Sequence, residues 1–467
     1  MMSVSGLRGI FGRSLRGPVA ARYATAVAHW LAGNKSSQDK SLHVVIGRDS
    51  RPSGLELEMV VVDSLVAGGC DVTRLGIATT PGVAAMIEHL SADGGLIITA
   101  SHNPAEWNGI KTLRHDGIAP SADQAHIIIE QFKSDRMDQL EMPQSGGVQD
   151  NDTAAHVHFE KVLASVERAI IAKRKFRVVV DSVHGAGGPE VAELVQHMGI
   201  ELIHLYSEPT GDFPHGAEPT CKNLTGLCQA VKQHRADVGF AQDPDGDRLA
   251  IVDENGVYIG EEYTLVLACL CVLSRKTESE VGDAADQRKL AANLSTSRMI
   301  DDVAESFGAK VVRTAVGESN VANAMYSCGA VIGGEGNGGV IWPPISYVRD
   351  SLVGIALVLE LLASRQQTLS QIIDQLPRYA IVKDKMEIQR DVTAGMAKLL
   401  GQHFDYQTID TQDGVRIDWP DRWIHVRLSN TEPILRIIAE ARDETTANRL
   451  VEQVRELLGF RPVCSSP

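Results

Sequence analysis

The chain has 467 residues, 43% hydrophobic and 22% charged, a balance that supports packed cores and excludes an intrinsically disordered chain. At roughly 100 to 200 residues per domain, this length predicts three or four domains. Sixty acidic against 45 basic residues leave a formal net charge of -15, spread along the chain, which argues against a broad nucleic-acid surface but not against local basic sites.

The first 16 residues carry glycines and arginines but no apolar stretch of the kind a secretory leader needs, so a cytoplasmic protein is expected. Residues 42–47, Asp71–Ile77 and 96–100 read as strands, with helices at Gly54–Ala67 and 82–90. Residues 134–152 turn polar and aperiodic and read as a linker. A second α/β cycle follows, with a strand at 176–181, a glycine-rich turn at 185–188, a helix at 189–198 and a strand pair flanking 243–248. A third holds a helix at 263–273, a strand at 309–313 and a strand-loop at 331–341. The longest apolar run, residues 265–273, falls short of the roughly 18 to 20 residues of a membrane span, so no membrane partner is expected. From about residue 374 the pattern changes to strands at 424–428 and 434–440 and a helix at 446–458, which reads as α+β. The expected architecture is three similar α/β domains with mixed sheets, 1–150, 151–254 and 255–370, then a smaller α+β domain, 371–467. Cys70, Cys221, Cys228, Cys269, Cys271, Cys328 and Cys464 lack paired CxxC spacing and are expected to be buried reduced thiols.

Four loops carry chemistry. The strand ending in Ala100 delivers Ser101, His102, Asn103 and Pro104, a shaped loop able to present a hydroxyl nucleophile, or else a plain turn. Asp243, Asp245 and Asp247 place three like charges at alternate positions, which a bound divalent cation would reconcile; a solvated acidic turn is the alternative. Glu254 stands twelfth from Asp243, but Arg248 occupies the glycine position of an EF-hand loop, which excludes that motif.

Gly334, Gly336 and Gly339 match a dinucleotide fingerprint as a string, but Pro343 and Pro344 leave no helix to receive a pyrophosphate. Glu335 and Asn337 there suit sugar hydroxyls, with a loose turn as the alternative. Last, Arg427, Ser429, Asn430, Thr431 and Arg436 gather guanidiniums, hydroxyls and an amide into an anion cradle, or else a surface turn with unrelated arginines.

These four loops, in this order, together with residues 5–9 (SGLRG) and 47–54 (GRDSRPSG), resemble the α-D-phosphohexomutase family over essentially the whole chain. The resemblance implies a central active-site cleft between the four domains and an enzyme that interconverts hexose 6-phosphate and hexose 1-phosphate. It implies that phosphorylated Ser101 carries the phosphoryl group through a hexose 1,6-bisphosphate. Asp243, Asp245 and Asp247 would bind Mg2+ together with a phosphoserine oxygen on Ser101. Arg8, Lys111 and Arg248 would line the reaction centre, Glu335 and Asn337 would hold sugar hydroxyls, and Arg427, Ser429, Asn430, Thr431 and Arg436 the non-reacting phosphate.

Several branches of the family end the sugar loop in a histidine, where this chain has Gly339, so Lys111 and His102 become the candidates for proton transfer. The resemblance leans towards glucosamine phosphate and leaves glucose and mannose phosphates open. A sugar-phosphate phosphatase and a noncatalytic sensor are the rival functions. The implied partner is a small hexose phosphate, with a monomer or homodimer as the assembly.

Overall fold

The structure, a computed structural model, describes residues 2–3, 6–34, 41–134, 146–275, 288–387, 395–429 and 434–459. Four sheets organise it. The first has seven strands in the order Met2–Ser3, Gly6–Ile10, Trp107–Arg114, Gly94–Ile98, His43–Arg48, Asp71–Ile77 and Val148–Asp150. Its central strands are apolar runs covered by helices on both faces, as parallel neighbours require, and the strands on the Trp107–Arg114 side are antiparallel.

The last of these strands corrects the linker. Val148–Asp150 pairs in parallel with Asp71–Ile77, and Asp150 takes two hydrogen bonds from Arg74, at 2.6 and 3.0 Å. All three of its residues are exposed, so no apolar alternation announces it. Residues 135–145 lie outside the described residues.

The second and third sheets have four strands each, in the orders Leu249–Val252, Val238–Gln242, Arg177–Asp181, Glu201–Leu205 and Lys310–Thr314, Lys289–Asn293, Ile332–Glu335, Gly339–Ile341. Each mixes parallel pairs with one antiparallel edge. Their inner faces share a single apolar core, because the helix Ser351–Arg365, buried at thirteen of its positions, packs against elements of both. Asp350 caps that helix, accepting the N–H groups of Leu352 and Val353 at 2.8 and 3.2 Å.

The fourth sheet is wholly antiparallel, in the order Ala380–Glu387, Ile434–Ala441, Trp423–Leu428, Val415–Asp418 and Thr408–Asp410. The helix Glu444–Leu457 lays Ala447, Leu450, Val451 and Val454 on it. Three α/β domains and an α+β domain are thus the architecture. Among the described residues no helix is long and apolar enough to cross a membrane. Cys70, Cys269 and Cys271 are buried free thiols, but Cys221 is exposed and Cys228 and Cys328 are half-buried, a departure from the expectation; Cys464 lies outside the described residues.

Candidate active site

One cleft of about 540 Å3 is lined by residues of all four sheets or the loops that follow them, among them Ser101, Arg248, Glu335 and Arg427. Ser101 follows the strand Gly94–Ile98, and Asp243 the strand Val238–Gln242. Glu335 ends the strand Ile332–Glu335. Ligand sites in α/β sheets form at such carboxyl ends.

Ser101 adopts a left-handed backbone, φ 49°, uncommon for a residue with a side chain. The surroundings impose it. Its N–H donates to Thr99 Oγ1 at 2.8 Å, and its carbonyl accepts from Arg51 Nη2. The fully buried Arg51 guanidinium also donates to the carbonyls of Asn103 at 2.7 Å, Pro104 at 2.7 Å and Trp107 at 3.2 Å. Its charge is met by Asp49 at 2.9 Å, and its face lies 5.0 Å from the Phe213 ring centre. One side chain therefore shapes the whole serine loop. The Ser101 hydroxyl, in turn, donates to Asp243 Oδ2 at 2.7 Å.

Asp243, Asp245 and Asp247 are fully buried, and each offers an oxygen within 4.8 Å of the others. Asp243 Oδ1 accepts the N–H groups of Asp247 and Arg248, both at 3.0 Å. Thr80 fastens Asp245 by its hydroxyl at 2.7 Å. Lys111 Nζ lies 2.7 Å from both Asp245 and Asp247, and Arg349 Nη2 2.6 Å from Asp247. Burial, then Asp247 and Asp245, push the Asp243 pKa well up. Burial opposes the charge on Asp247, yet Arg349 and Lys111 prevail and hold its pKa below the ordinary range. Burial likewise opposes the charge on Lys111, but Asp245 and Asp247 hold its pKa above the usual lysine value. Among the described residues Asp245 Oδ1 and Asp247 Oδ1 have no hydrogen-bond partner, although both are buried. An all-oxygen set with two unsatisfied anionic oxygens fits a hard divalent cation.

The glycines of residues 334–339 sit in a strand-to-strand turn, Ile332–Glu335 to Gly339–Ile341, which disposes of the dinucleotide fingerprint. Glu335 is buried and accepts from Asn293 Nδ2 at 2.7 Å, Gly317 N–H at 3.2 Å and Arg349 Nη1 at 2.8 Å. Asn337 Oδ1 is buried without a partner among the described residues. Arg349 also meets Glu318, through its backbone N–H at 2.9 Å and Nη2 at 3.5 Å. The guanidinium thus ties the aspartate loop to the sugar loop.

On the fourth sheet, Arg427 is buried, donates through Nε to Asp413 Oδ2 at 2.8 Å, and leaves Nη2 buried without a partner among the described residues. Ser429 and the exposed Arg436 line the same end of the cleft, and Asn430 and Thr431 lie outside the described residues. Arg8 donates to Asn103 Oδ1 at 2.9 Å, and Arg248 stands 3.5 Å from Glu218 Oε1. His102 Nδ1 is 3.3 Å from Ser101 Oγ, and burial, then Arg248 and Arg8, push its pKa down to about 2. A neutral imidazole results. The sequence reading missed Arg51, Arg349 and Asp413 as site residues; only Arg51 sits in a string it had singled out, residues 47–54.

Comparison with known proteins places this arrangement in context. Residues 2–139, 156–256 and 266–379 match the alpha/beta/alpha domains I, II and III described for phosphoglucomutase/phosphomannomutase, and residues 379–457 match its C-terminal domain. A phosphoglucomutase/phosphomannomutase of Thermococcus kodakarensis is 37% identical over 456 residues, covering 97% of each chain. A probable phosphoglucosamine mutase of Methanopyrus kandleri is 34% identical over 466 residues, covering 97% of this chain and 98% of that one. Among solved structures, a phosphoglucomutase/phosphomannomutase family protein of Burkholderia thailandensis superimposes with a TM-score of 0.84 at 27% identity, covering 98% of this chain and 96% of that one.

Proposed function

The chain belongs to the phosphoglucomutase/phosphomannomutase family and is a phosphohexomutase, and from that premise we propose that Ser101 is its phosphoryl carrier and glucosamine phosphate its substrate. The observation that carries the role of Ser101 is its hydroxyl, 2.7 Å from Asp243 Oδ2 in a cleft lined with arginines.

In the first half-reaction the bond between Ser101 Oγ and phosphorus breaks as a sugar hydroxyl bonds that phosphorus, and the proton lost by the sugar hydroxyl is balanced by the one gained at Oγ; the bisphosphate then turns, and its other phosphoryl group returns to Oγ as the serine proton passes back to the sugar oxygen. Asp243, Asp245 and Asp247 would hold Mg2+, which when bound supplies charge neutralisation at the transferring group. Arg8, Arg248 and Lys111 add positive charge where phosphoserine and a second phosphate must approach each other. Lys111, held protonated by Asp245 and Asp247, is placed to give a proton, while His102, kept neutral, is placed beside Oγ. Glu335 and Asn337 orient the sugar. Arg427, Ser429, Asn430, Thr431 and Arg436 grip the phosphate that does not react.

Support for the amino sugar comes from relatives named probable phosphoglucosamine mutases. Glucose or mannose phosphate is the second reading, favoured by the name of the Thermococcus kodakarensis relative at 37% identity. Turnover of glucosamine, glucose and mannose phosphates with catalytic hexose 1,6-bisphosphate decides between them. Glucosamine phosphate should give the highest kcat/KM, and a higher value for either other sugar would sink the assignment. Ser101→Ala should abolish turnover and lose the mass of one phosphoryl group from the intact protein.

A further inference from the structure

We propose that Asp413 is a positioning residue that sets the reach between the phosphate grip of Arg427 and the sugar hold of Glu335; the proposal rests on reading Arg427 as a phosphate ligand. Val316 and Gly317 are consecutive residues of the third domain. The N–H of Val316 donates to Asp413 Oδ2 at 3.0 Å, and the N–H of Gly317 donates to Glu335 Oε1 at 3.2 Å. A single stretch of backbone is thus the reference for one carboxylate of the fourth domain and one of the third.

The same Asp413 Oδ2 accepts Arg427 Nε at 2.8 Å. Asp413 is itself held: its carbonyl lies 2.6 Å from His425 Nε2, and His425 Nδ1 lies 2.9 Å from Ser295 Oγ of the third domain. The next residue, Gly414, has φ 69°, and a Cβ there would stand 2.2 Å from the Val426 carbonyl, so the turn lies flat against the strand that carries Arg427.

Engaging Nε fixes the plane of the guanidinium. Nη2, buried and without a partner among the described residues, is then left to the cleft. Arginine grips phosphate through N–H groups whose directions are set by that plane, so its orientation decides affinity. The mutase reaction sharpens the requirement. A hexose bisphosphate must be held in two orientations by one cradle, and both place the reacting end at Ser101 only if the distance from cradle to sugar hold stays constant. Removing Asp413 frees Arg427 to rotate and removes the Val316 anchor between the two domains. The bisphosphate should then leave before its second transfer.

The test compares the full-length wild type with Asp413→Ala, Asp413→Asn and Arg427→Lys in Mg2+. It measures KM, kcat, thermal midpoint and the dependence of turnover on added hexose 1,6-bisphosphate. Asp413→Ala should raise KM roughly tenfold or more, the worth of a charge-assisted hydrogen bond, and make turnover depend on added bisphosphate. Asp413→Asn keeps an oxygen that can accept from Val316 and Arg427, so it should fall between the two and serve if the alanine variant does not fold. Wild-type KM and bisphosphate dependence in both Asp413 variants, with Arg427→Lys impaired, would overturn the role of Asp413 and leave the phosphate reading standing. Wild-type KM in Arg427→Lys would overturn the phosphate reading itself, and the proposal with it.

Discussion

A Cβ on Gly339 would lie 2.2 Å from Cδ of Arg349 and 3.2 Å from Asn337 Oδ1. The space a side chain at 339 would need is therefore filled by the stem of Arg349, whose guanidinium bonds Asp247 at 2.6 Å and Glu335 at 2.8 Å. A guanidinium does not release its proton near neutrality, so Arg349 fills this space without serving proton transfer. Gly339→Ala should push Arg349 off both carboxylates, cost about 1–3 kcal/mol as overpacking does, and lower kcat at least tenfold. Gly339→His alone should be inactive. Steady-state kinetics with thermal unfolding checks both, and wild-type kcat in Gly339→Ala would show that Arg349 can yield without consequence.

The loops around Ser101, Asp243 and Glu335 stood out in the sequence because each is a short contiguous string of chemistry-bearing residues, and their joint order, rather than any one of them, pointed to a reaction. Arg51 and Arg349 did not stand out, because what they do is defined by contacts 50 and 102 residues away. Nothing in residues 47–54 says that Arg51 is buried under the serine loop while Arg48 pairs with Glu58 at its edge. Asp413 reads as one more acidic turn residue until folding brings Val316 and Arg427 to it. The fold shows the same limit. The shared core of the second and third domains depends on which faces of Ser351–Arg365 are covered, and a helix apolar all round does not name its neighbours.

The unsatisfied oxygens of Asp245 and Asp247 make metal binding testable without turnover. Excess Mg2+ should raise the thermal midpoint and a chelator should lower it again, since a ligand at about 100 times its Kd adds about 2.7 kcal/mol. Asp245→Asn removes one charge and one anionic oxygen, and should shift the midpoint response to at least tenfold higher Mg2+. A midpoint indifferent to Mg2+ in the wild type would mean that Lys111 and Arg349 alone balance the three carboxylates.

Arg51 holds four carbonyls of the Ser101 loop while neutralising Asp49, and both side chains are fully buried. Arg51→Met keeps the length but leaves Asp49 charged or protonated without its partner, a loss of about 3–5 kcal/mol where a buried pair is broken. The left-handed backbone at Ser101 would lose its clamp. Phosphorylation of Ser101 by hexose bisphosphate should slow more than the fall in stability explains, measured by intact mass against time at a temperature where the variant stays folded. An unchanged rate there would show that Thr99 suffices to hold the loop.

His158 is buried between two carboxylates, Nδ1 at 3.1 Å from Glu190 Oε2 and Nε2 at 2.8 Å from Asp350 Oδ2. Thr79 of the first domain donates to Glu190 as well, at 2.9 Å, so the cluster joins three domains behind the aspartate loop. Burial opposes the imidazolium charge, but Asp350 and Glu190 outweigh it and raise the pKa from 6.5 to about 10. A folded pKa above the unfolded one means that the contribution is complete below pH 6.5 and is lost as pH rises towards about 10, a change of a few kcal/mol. Wild-type stability should therefore decline through this window, with His158→Gln less stable below pH 6.5 and the two curves converging near pH 10. His204 and His425, whose pKa values burial lowers to about 4, destabilise the fold in acid instead, and they act equally in both proteins. Denaturant unfolding from pH 6 to 10 makes the comparison, and parallel curves across it would show that His158 is neutral in the fold.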